Sequence, residues 1–170
     1  MVRIHTSAPA TGYTLIELLI VVVIISTLAA IAVPHFSTTT DDARKAAYES
    51  NRASLRAVVE LYRQQHGVYP GHDPATAATC VNGTNITAPV GSDSFFAQLL
   101  NYSDLDNSVC TGFDAAQFRY GPYFKDGIPD NPLGSANTVT VVKTGVLGLA
   151  SLGTGGWRFD SITGELIGDH

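Results

Sequence analysis

The sequence predicts an α+β fold in which one long N-terminal α-helix packs against a small antiparallel β-sheet in a loop-rich C-terminal domain. No glycine occurs between Tyr13 and His66, and Pro34 is the only proline there. In contrast, eleven of the sixteen glycines lie from Gly112 onward. Because glycine and proline interrupt helices and mark turns, these two observations predict a long helix followed by a turn-rich region.

The first half of the predicted helix is apolar. Residues 15–33 hold one ionisable residue, Glu17, and two other polar residues, Ser26 and Thr27. As a helix, residues 13–33 would extend about 31 Å, close to the roughly 30 Å of a bilayer's hydrocarbon core. The pattern therefore predicts a transmembrane helix, which Pro34 is expected to kink where it leaves the membrane.

A cleaved signal peptide is the alternative interpretation of this N-terminal segment. Ala30-Ile31-Ala32 matches an A-x-A cleavage site, and Arg3 supplies a weak positive region before the apolar run. However, the run is longer than the 7 to 15 residues of a typical signal peptide core, and it carries an acid near its start. Glu17 therefore favours a helix that is retained.

An acidic side chain in such a segment is expected to be functional and to have a partner. The only basic side chains before residue 34, Arg3 and His5, precede Gly12. Cleavage after Gly12 would create a cationic amine on Tyr13, and a neighbouring subunit shifted along the helix axis would bring its amine to Glu17. Desolvation offsets most of the Coulomb gain, so we expect this pair mainly to fix the register between subunits.

The stretches GYTLIELLIV, residues 12–21, and AAIAVP, residues 29–34, resemble the N-terminal motif of type IV pilins and of the pseudopilins of type II secretion. Three positions differ from that motif. Tyr13 replaces the usual phenylalanine, Ser26 replaces a frequent glycine, and no basic residue directly precedes Gly12. Because position 13 keeps an aromatic ring, cleavage remains the expectation.

The resemblance implies how the chain is processed and divided. A prepilin peptidase would cleave between Gly12 and Tyr13 and N-methylate Tyr13, and Glu17 would pair with a neighbour's terminal amine in a helical filament. The implied regions are a removed leader (residues 1–12), a transmembrane or filament-core helix (13–34), the second half of the helix (35–66) and a globular head with the antiparallel sheet (67–170).

The resemblance also implies a location and a set of partners. The chain would be a single-pass subunit of the bacterial inner membrane, with its head in the periplasm or outside. It would assemble with further copies and with other pilins or pseudopilins at an inner-membrane assembly platform, giving a periplasmic or surface filament. Residues 67–170 contain ten acids and four bases, which argues against nucleic acid as the main partner.

The remaining chain predicts the elements of the head. In the second half of the helix, five residues at helical spacing form the face expected to pack: Asn51, Leu55, Val58, Val59 and Tyr62. A short helix is expected at residues 95–100, after Ser92-Asp93-Ser94. Strands are expected at residues 118–120, 138–143, 146–149, 157–160 and 165–167, the last two as a hairpin.

Two further segments resemble pseudopilins less specifically, the first the segment before the sheet of major pseudopilins and the second the C-terminal hairpin of pseudopilin-like proteins. They are residues 128–134, with the sequence IPDNPLG, and residues 156–166, which begin with Gly-Trp-Arg-Phe-Asp. These segments favour a major pseudopilin over a pilus subunit.

Cys80 and Cys110, the only two cysteines, are expected to form a disulfide, because they lie in loop-rich sequence that would face an oxidising compartment. Two buried free thiols are the alternative. Closing a loop of this length would restrict the unfolded chain by about 3 to 4 kcal/mol in the entropic model. A zinc site would need further cysteine or histidine at close spacing.

No catalytic constellation is found in the sequence, and we expect no enzymatic activity. LASLG, residues 149–153, lacks the first glycine of a nucleophile elbow. Some major pseudopilins bind calcium through C-terminal loops, so four residues are weak candidate ligands: Asp126, Asp130, Asn131 and Asp160. No loop matches the ligand spacing of a known calcium motif, so we expect no cofactor.

These observations favour a structural filament subunit, and within that class they favour a pseudopilin of type II protein secretion. The first alternative is a type IV pilus subunit for adhesion, motility or DNA uptake. The second is an extracytoplasmic enzyme or binding domain held by a single membrane anchor, which would leave Glu17 unexplained.

Overall fold

The computed structural model describes residues 12–76 and 78–170, and in residues 31–38 it describes the backbone only. The chain divides into two compact units, the first ending at Asp42 and the second running from Ala43 to His170. The elements are α1 (Leu15–His66), β1 (Asn85–Ile86), α2 (Ser92–Leu100), β2 (Tyr102–Ser103), β3 (Val109–Cys110), β4 (Val139–Val142), β5 (Trp157–Asp160) and β6 (Leu166–Gly168).

Helix α1 confirms the long N-terminal helix and runs without interruption from Leu15 to His66. Gly67 ends it with a φ of 79°, and its amide donates to the carbonyl of Arg63 at 2.8 Å, as at many helix C-termini. The kink expected at Pro34 stays a prediction, because Pro34 lies among residues 31–38, whose side chains are not described.

The predicted membrane span is not found in the part of the chain whose side chains are described, residues 12–30 and 39–170 without Ala77. No helix of this part is both long and apolar enough to cross a membrane.

The second unit has one main hydrophobic core, formed by α1, α2 and the sheet of β4 to β6. Leu55, Val59 and Tyr62 are buried, which confirms the predicted packing face of the helix. They share the core with Trp157 and other buried side chains of the sheet and α2, namely Phe159, Leu166, Phe95 and Leu99. The small sheet packed on the long helix is thereby confirmed, with the antiparallel pairing in its β5–β6 hairpin.

The C-terminal sheet has the order β4-β5-β6 and matches three of the predicted strands. β5 and β6 form the expected antiparallel hairpin, whereas β4 joins β5 in parallel. A parallel neighbour needs a long connection, and residues 143–156 supply it. The predicted strand at residues 146–149 is therefore wrong, because these residues lie in that connection.

A second sheet, of order β1-β3-β2, surrounds the disulfide and was not predicted. Its strands are two residues long, and Cys110 of β3 is bonded to Cys80 across a Cα–Cα distance of 5.9 Å. The disulfide prediction is confirmed. The strand predicted at residues 118–120 is reduced to one bridge between Tyr120 and Ser103.

His66, the last residue of α1, is held in an aromatic and polar cluster of the second unit. Its ring stacks on Tyr62 with centroids 4.1 Å apart, and its Nε2 lies 3.0 Å from the Tyr123 hydroxyl and 3.2 Å from that of Ser103. Burial lowers the pKa of His66 to about 4. The side chain is therefore neutral at pH 7 in the folded protein.

We expect the free energy of unfolding to fall by about 1 kcal/mol between pH 6.5 and 4.5, since partial exposure of His66 reduces the full effect of its pKa shift. The sign follows because His66 binds a proton near pH 6.5 in the unfolded chain but only near pH 4 in the folded chain. The measurement is urea unfolding of the full chain in detergent, followed by the fluorescence of Trp157, the single tryptophan. His66→Gln should flatten this pH dependence, whereas a matched His72→Gln variant should retain it. An unchanged slope in His66→Gln would contradict the assignment.

Candidate assembly site

The N-terminal end of α1 is closed by a reciprocal pair of side-chain contacts between Thr14 and Glu17. Oε2 of Glu17 accepts a hydrogen bond from the amide of Thr14 at 2.9 Å and another from its hydroxyl at 2.7 Å. The amide of Glu17 donates in return to Oγ1 of Thr14 at 3.3 Å. This is a capping box, in which a threonine at the N-cap and a glutamate three residues later satisfy each other's backbone amides.

The capping box corrects one premise of the sequence analysis. Glu17 was expected to find its partner only on another subunit, yet it has a partner in its own chain. The T-x-x-E spacing of Thr14 and Glu17 is the sequence signal of this capping box. Both hydrogen bonds end on Oε2, so a cation from a neighbouring chain could approach the other oxygen or displace Thr14.

The surface around Glu17 is apolar on every side of the helix. All residues from Gly12 to Ala30 are exposed, including the large apolar side chains of Leu15, Ile16, Leu18, Leu19, Ile20, Val21, Val22, Val23, Ile24, Ile25 and Leu28. Ser26 and Thr27 donate their hydroxyls to carbonyls of their own helix, each at 2.8 Å, and so add little polarity. A helix that is apolar all round is stable only when another apolar body covers it.

The four weak calcium candidates do not meet at one point. Asn131 is buried, and its side-chain Nδ2 donates to the carbonyl of Gly156 at 2.7 Å while its Oδ1 accepts from the backbone amide of Leu133 at 3.1 Å. Asp126 and Asp130 are exposed. Among the described residues, no group of three histidine, cysteine, aspartate or glutamate side chains is placed to hold a metal ion.

Asp160, the fourth candidate, is buried and already occupied by protein donors. It accepts hydrogen bonds from the hydroxyl of Thr144, from the amide of Gly145 at 3.0 Å and from that of Ile162 at 2.8 Å. Burial alone would raise the pKa of Asp160, but these hydrogen bonds outweigh burial and lower it. The carboxylate of Asp160 therefore fixes the backbone of residues 144–145, directly after β4.

Two more carboxylates hold the same β4–β5 connection, and the sequence analysis gave neither a role. Glu165 accepts from the amides of Gly148 and Leu149, at 2.7 and 3.0 Å. Asp169 is buried and accepts from four donors, Ser151, Leu152, Gly153 and Thr154. Burial would raise the pKa of Asp169, but the hydrogen bonds lower it well below its ordinary range. The glycine-rich connection is thus fixed along its length.

We expect Asp169→Asn to lower the free energy of unfolding by about 1 to 2 kcal/mol, because one acceptor oxygen is replaced by a donor that faces other donors. Hydrogen exchange at the amides of Leu152 and Gly153 should also become faster. Urea unfolding and hydrogen exchange with mass spectrometry measure the two effects. Asp126→Asn, at an exposed position, is the control and should change neither. Unchanged exchange in Asp169→Asn would contradict the holding role.

The comparisons with known proteins identify the family. The model of the prokaryotic N-terminal methylation motif matches residues 9–33. The type IV narrow pilus major component PilA5 of Thermus thermophilus is 34% identical over 98 residues, which cover 51% of this chain and 84% of that protein. The chain belongs to the type IV pilin and pseudopilin family. The apolar helix and its capped glutamate are therefore the N-terminal motif of a pilin-family protein.

Relatives from both branches of the family match this pilin-family protein. The type IV major pilin protein PilE1 of Neisseria gonorrhoeae is 31% identical over 53% of this chain and 48% of its own length. The type II secretion system core protein G of Pseudomonas aeruginosa is 33% identical over 35% of this chain and 42% of its own length. The matched part of the chain thus spans about half or less of the length of these two relatives. No solved structure matches the chain.

Proposed function

We propose that this protein is a structural subunit of a type IV pilus-like helical filament, without a catalytic role of its own. The observation that carries the proposal is the exposed, all-round apolar helix surface from Leu15 to Leu28, which surrounds a single carboxylate. Bundling the helices of many copies would bury this surface. The hydrophobic effect would then supply the main free energy of assembly, at about 25 cal/mol per Å² of apolar surface buried.

Within this function, Glu17 sets the position of each incoming subunit. In the separate subunit, Thr14 satisfies the carboxylate at 2.7 to 2.9 Å and limits the penalty of keeping a charge in an apolar segment. In the filament, the terminal amine of a neighbour's Tyr13 would take over as partner. The exchange favours one register, because only one axial shift brings amine and carboxylate together.

Before assembly, residues 13–34 would anchor the subunit in the inner membrane, with the head on the outer side. Prepilin peptidase would act between Gly12 and Tyr13, and an inner-membrane platform would pass subunits to the growing filament. The methylation motif over residues 9–33 supports this processing. The division into leader, helix halves and head, at residues 12, 34 and 66, belongs to the same proposal, as does the expectation of no cofactor.

A pseudopilin of type II secretion is the first candidate within the family, supported by the likeness to core protein G of two organisms, Pseudomonas aeruginosa and Vibrio cholerae. A type IV pilus subunit is the second, favoured by the Thermus thermophilus relative. Deletion of the gene in its native host separates them. Loss of protein export across the outer membrane would support the first candidate, and loss of surface filaments would support the second.

Filament formation itself is tested by producing the full chain with its assembly machinery, shearing the cells and labelling with an antibody against the head. We expect labelled filaments in the electron microscope. Finding the subunit at normal level only as dispersed membrane protein, while filaments of other subunits form, would contradict the proposal.

Processing gives a separate prediction. The mature chain is expected to begin at N-methylated Tyr13, because the motif places the cleaved bond after Gly12. Intact-mass measurement of protein extracted from membranes reads the start directly. A mature chain that begins near Val33 would instead indicate an ordinary signal peptide, and an unprocessed chain would contradict cleavage.

A further inference from the structure

We propose that His66 is an acid-sensitive latch that holds part of the head to the C-terminal end of α1. The part concerned consists of β1 to β3 with the disulfide between Cys80 and Cys110, and is called the three-stranded lobe. In acid the latch releases this lobe while the main core stays folded. The inference concerns the separate subunit, so it does not depend on the proposed filament function.

Tyr62 and His66 join the end of α1 to the three-stranded lobe. The Tyr62 hydroxyl donates to Oδ1 of Asn107, between β2 and β3, at 2.8 Å. Nε2 of His66 lies 3.2 Å from Oγ of Ser103 in β2. The His66 ring also lies edge-on to that of Tyr120, with centroids 5.1 Å apart, and the backbone of Tyr120 pairs with that of Ser103. His66 therefore contacts both β2 and the segment that pairs with it.

The three-stranded lobe has little hydrophobic core of its own. The apolar cluster beside it consists of three buried residues, Ala75, Ala97 and Val109, with Ile86 and Ala88 packed against them. The main core instead holds large side chains of α1, α2 and the β4–β6 sheet. Segments with few buried apolar contacts open at a lower free energy than the core of the same protein. The polar contacts with α1 therefore count for more in keeping the lobe closed.

The hydrogen bonds around His66 indicate which ring nitrogen carries the proton in the closed head. Tyr123 donates its hydroxyl proton to Oε1 of Gln65, so its oxygen accepts from Nε2 of His66, 3.0 Å away. Nε2 therefore carries the proton of the neutral ring, and Nδ1 is left as an acceptor. Nδ1 is buried and has no hydrogen-bond partner in the described part of the chain. A second proton on the ring thus places a charged donor in an unfavourable site.

The titratable groups that face His66 do not offset this charge. Burial has the largest influence and lowers the pKa of His66 to about 4, although the backbone and the carboxylate of nearby Asp104 act in the opposite direction. That carboxylate is already held within the lobe, where its Oδ1 accepts from two backbone amides at 2.9 and 2.8 Å. The other titratable neighbours are the phenols Tyr62, Tyr120 and Tyr123, and a phenol carries no negative charge in acid.

Opening the lobe relieves the buried charge. When β2 and Tyr120 move away from the helix end, water reaches the His66 ring, so the open form binds a proton more tightly than the closed form. By linkage, the population of the open form rises as the pH falls from about 6.5 towards 4. The main core keeps its buried apolar contacts with α1 during this step. Acid therefore loosens one side of the head only.

Hydrogen exchange with mass spectrometry on the full chain in detergent, at pH 6.5 and 4.5, tests the latch. The exchange rates at residues 85–86, 102–103 and 109–110 are divided by those at residues 139–142 and 157–160 of the same sample. This ratio removes the common effect of pH on amide exchange. We expect the ratio to rise about fivefold at pH 4.5, which is less than the full pKa difference allows because His66 is only half-buried.

Three variants separate the role of the histidine from that of its neighbours. His66→Gln keeps a donor but cannot become charged, so its ratio should be the same at both pH values. Ser103→Ala removes one contact but keeps the histidine, so its ratio should exceed that of the wild type at both pH values and still rise in acid. His72→Gln is the matched control and should behave as the wild type, because its ring bonds the carbonyl of Ser161, outside the lobe.

A wild-type ratio that does not change with pH, or a ratio that still rises in acid in His66→Gln, would overturn the inference. If His66→Gln does not fold, a nuclear magnetic resonance titration of the His66 ring in the wild type decides instead. A midpoint well below pH 6.5 together with a rising ratio would support the latch, and a midpoint near pH 6.5 would overturn it. None of these results bears on the filament function, because no assembly is involved.

Discussion

Glu17→Ala is expected to abolish filaments or make them irregular while the subunit still accumulates in the membrane. The substitution removes a charge whose only described partner is Thr14, one turn away at the helix start. Insertion should be unharmed or slightly easier, because a charge in an apolar segment costs a few kcal/mol. The incoming subunit would lose the carboxylate that receives its amine, so no axial register would be preferred.

The measurement for Glu17→Ala is the filament yield of the shear fraction, with the membrane level of the subunit as reference. Thr14→Val and Ser26→Ala are matched controls. Thr14→Val weakens the helix start by about 1 kcal/mol but leaves the carboxylate, so filaments should persist. Ser26 bonds only its own helix among the described residues, and its substitution should be silent. Normal filaments from Glu17→Ala would remove the assembly role and favour the anchored-domain alternative.

Loss of the disulfide should have the largest effect on the head itself. Replacing Cys80 and Cys110 together by serine is expected to lower the free energy of unfolding by about 3 kcal/mol. The two cysteines are 30 residues apart in sequence, and without the bond the loop between them no longer restricts the unfolded chain. The buried Cys110 also anchors β3 between β1 and β2, so the small sheet should loosen first.

Urea unfolding of the full-length variant, followed by Trp157 fluorescence, measures the loss, and hydrogen exchange locates it. Exchange should increase at the amides of residues 85–86 and 109–110 before those of the β4–β6 sheet. Reduction of the wild-type protein is the matched comparison and should give the same shift. A double variant as stable as the wild type would show that the three-stranded lobe does not depend on the bond.

The elements predicted correctly are those with long or strongly patterned sequence. Helix α1 is free of glycine for 52 residues, and its buried face repeats at helical spacing. In the hairpin, β6 and the first three residues of β5 alternate buried and less buried residues, and the turn between the strands ends at Gly164, where φ is 75°. Local conformational preference and tertiary packing agree in these elements, so the sequence alone is enough to predict them.

The elements that were missed depend on contacts distant in sequence. Strands of two residues, such as β1 and β3, carry no alternation that a sequence pattern could reveal. Val146 and Leu147 look like part of a strand, but Asp160 and Glu165 bind the backbone around them and hold it in a loop. Which acid binds which amide follows from the parallel pairing of β4 with β5, which no local pattern predicts.

The sequence names Gly12, Tyr13 and Glu17 as the candidate site, and their roles in processing and assembly stay predictions. The resemblance to the pilin and pseudopilin motif groups Gly12 and Tyr13 with Glu17, and the acid in an apolar helix is the local signal beside it. The capping box with Thr14 was not predicted, because an acid in an apolar segment indicates a charged partner, whereas Thr14 is neutral.

A helical reconstruction of the filament by cryo-electron microscopy tests the central claim most directly. We expect the terminal nitrogen of Tyr13 to lie within about 4 Å of the Glu17 carboxylate of a neighbouring subunit, the distance of an ion pair. We also expect the apolar surface from Leu15 to Leu28 to be buried among neighbouring helices. A filament in which Glu17 still contacts only its own Thr14, with the Tyr13 nitrogen of every neighbour far away, would contradict the account.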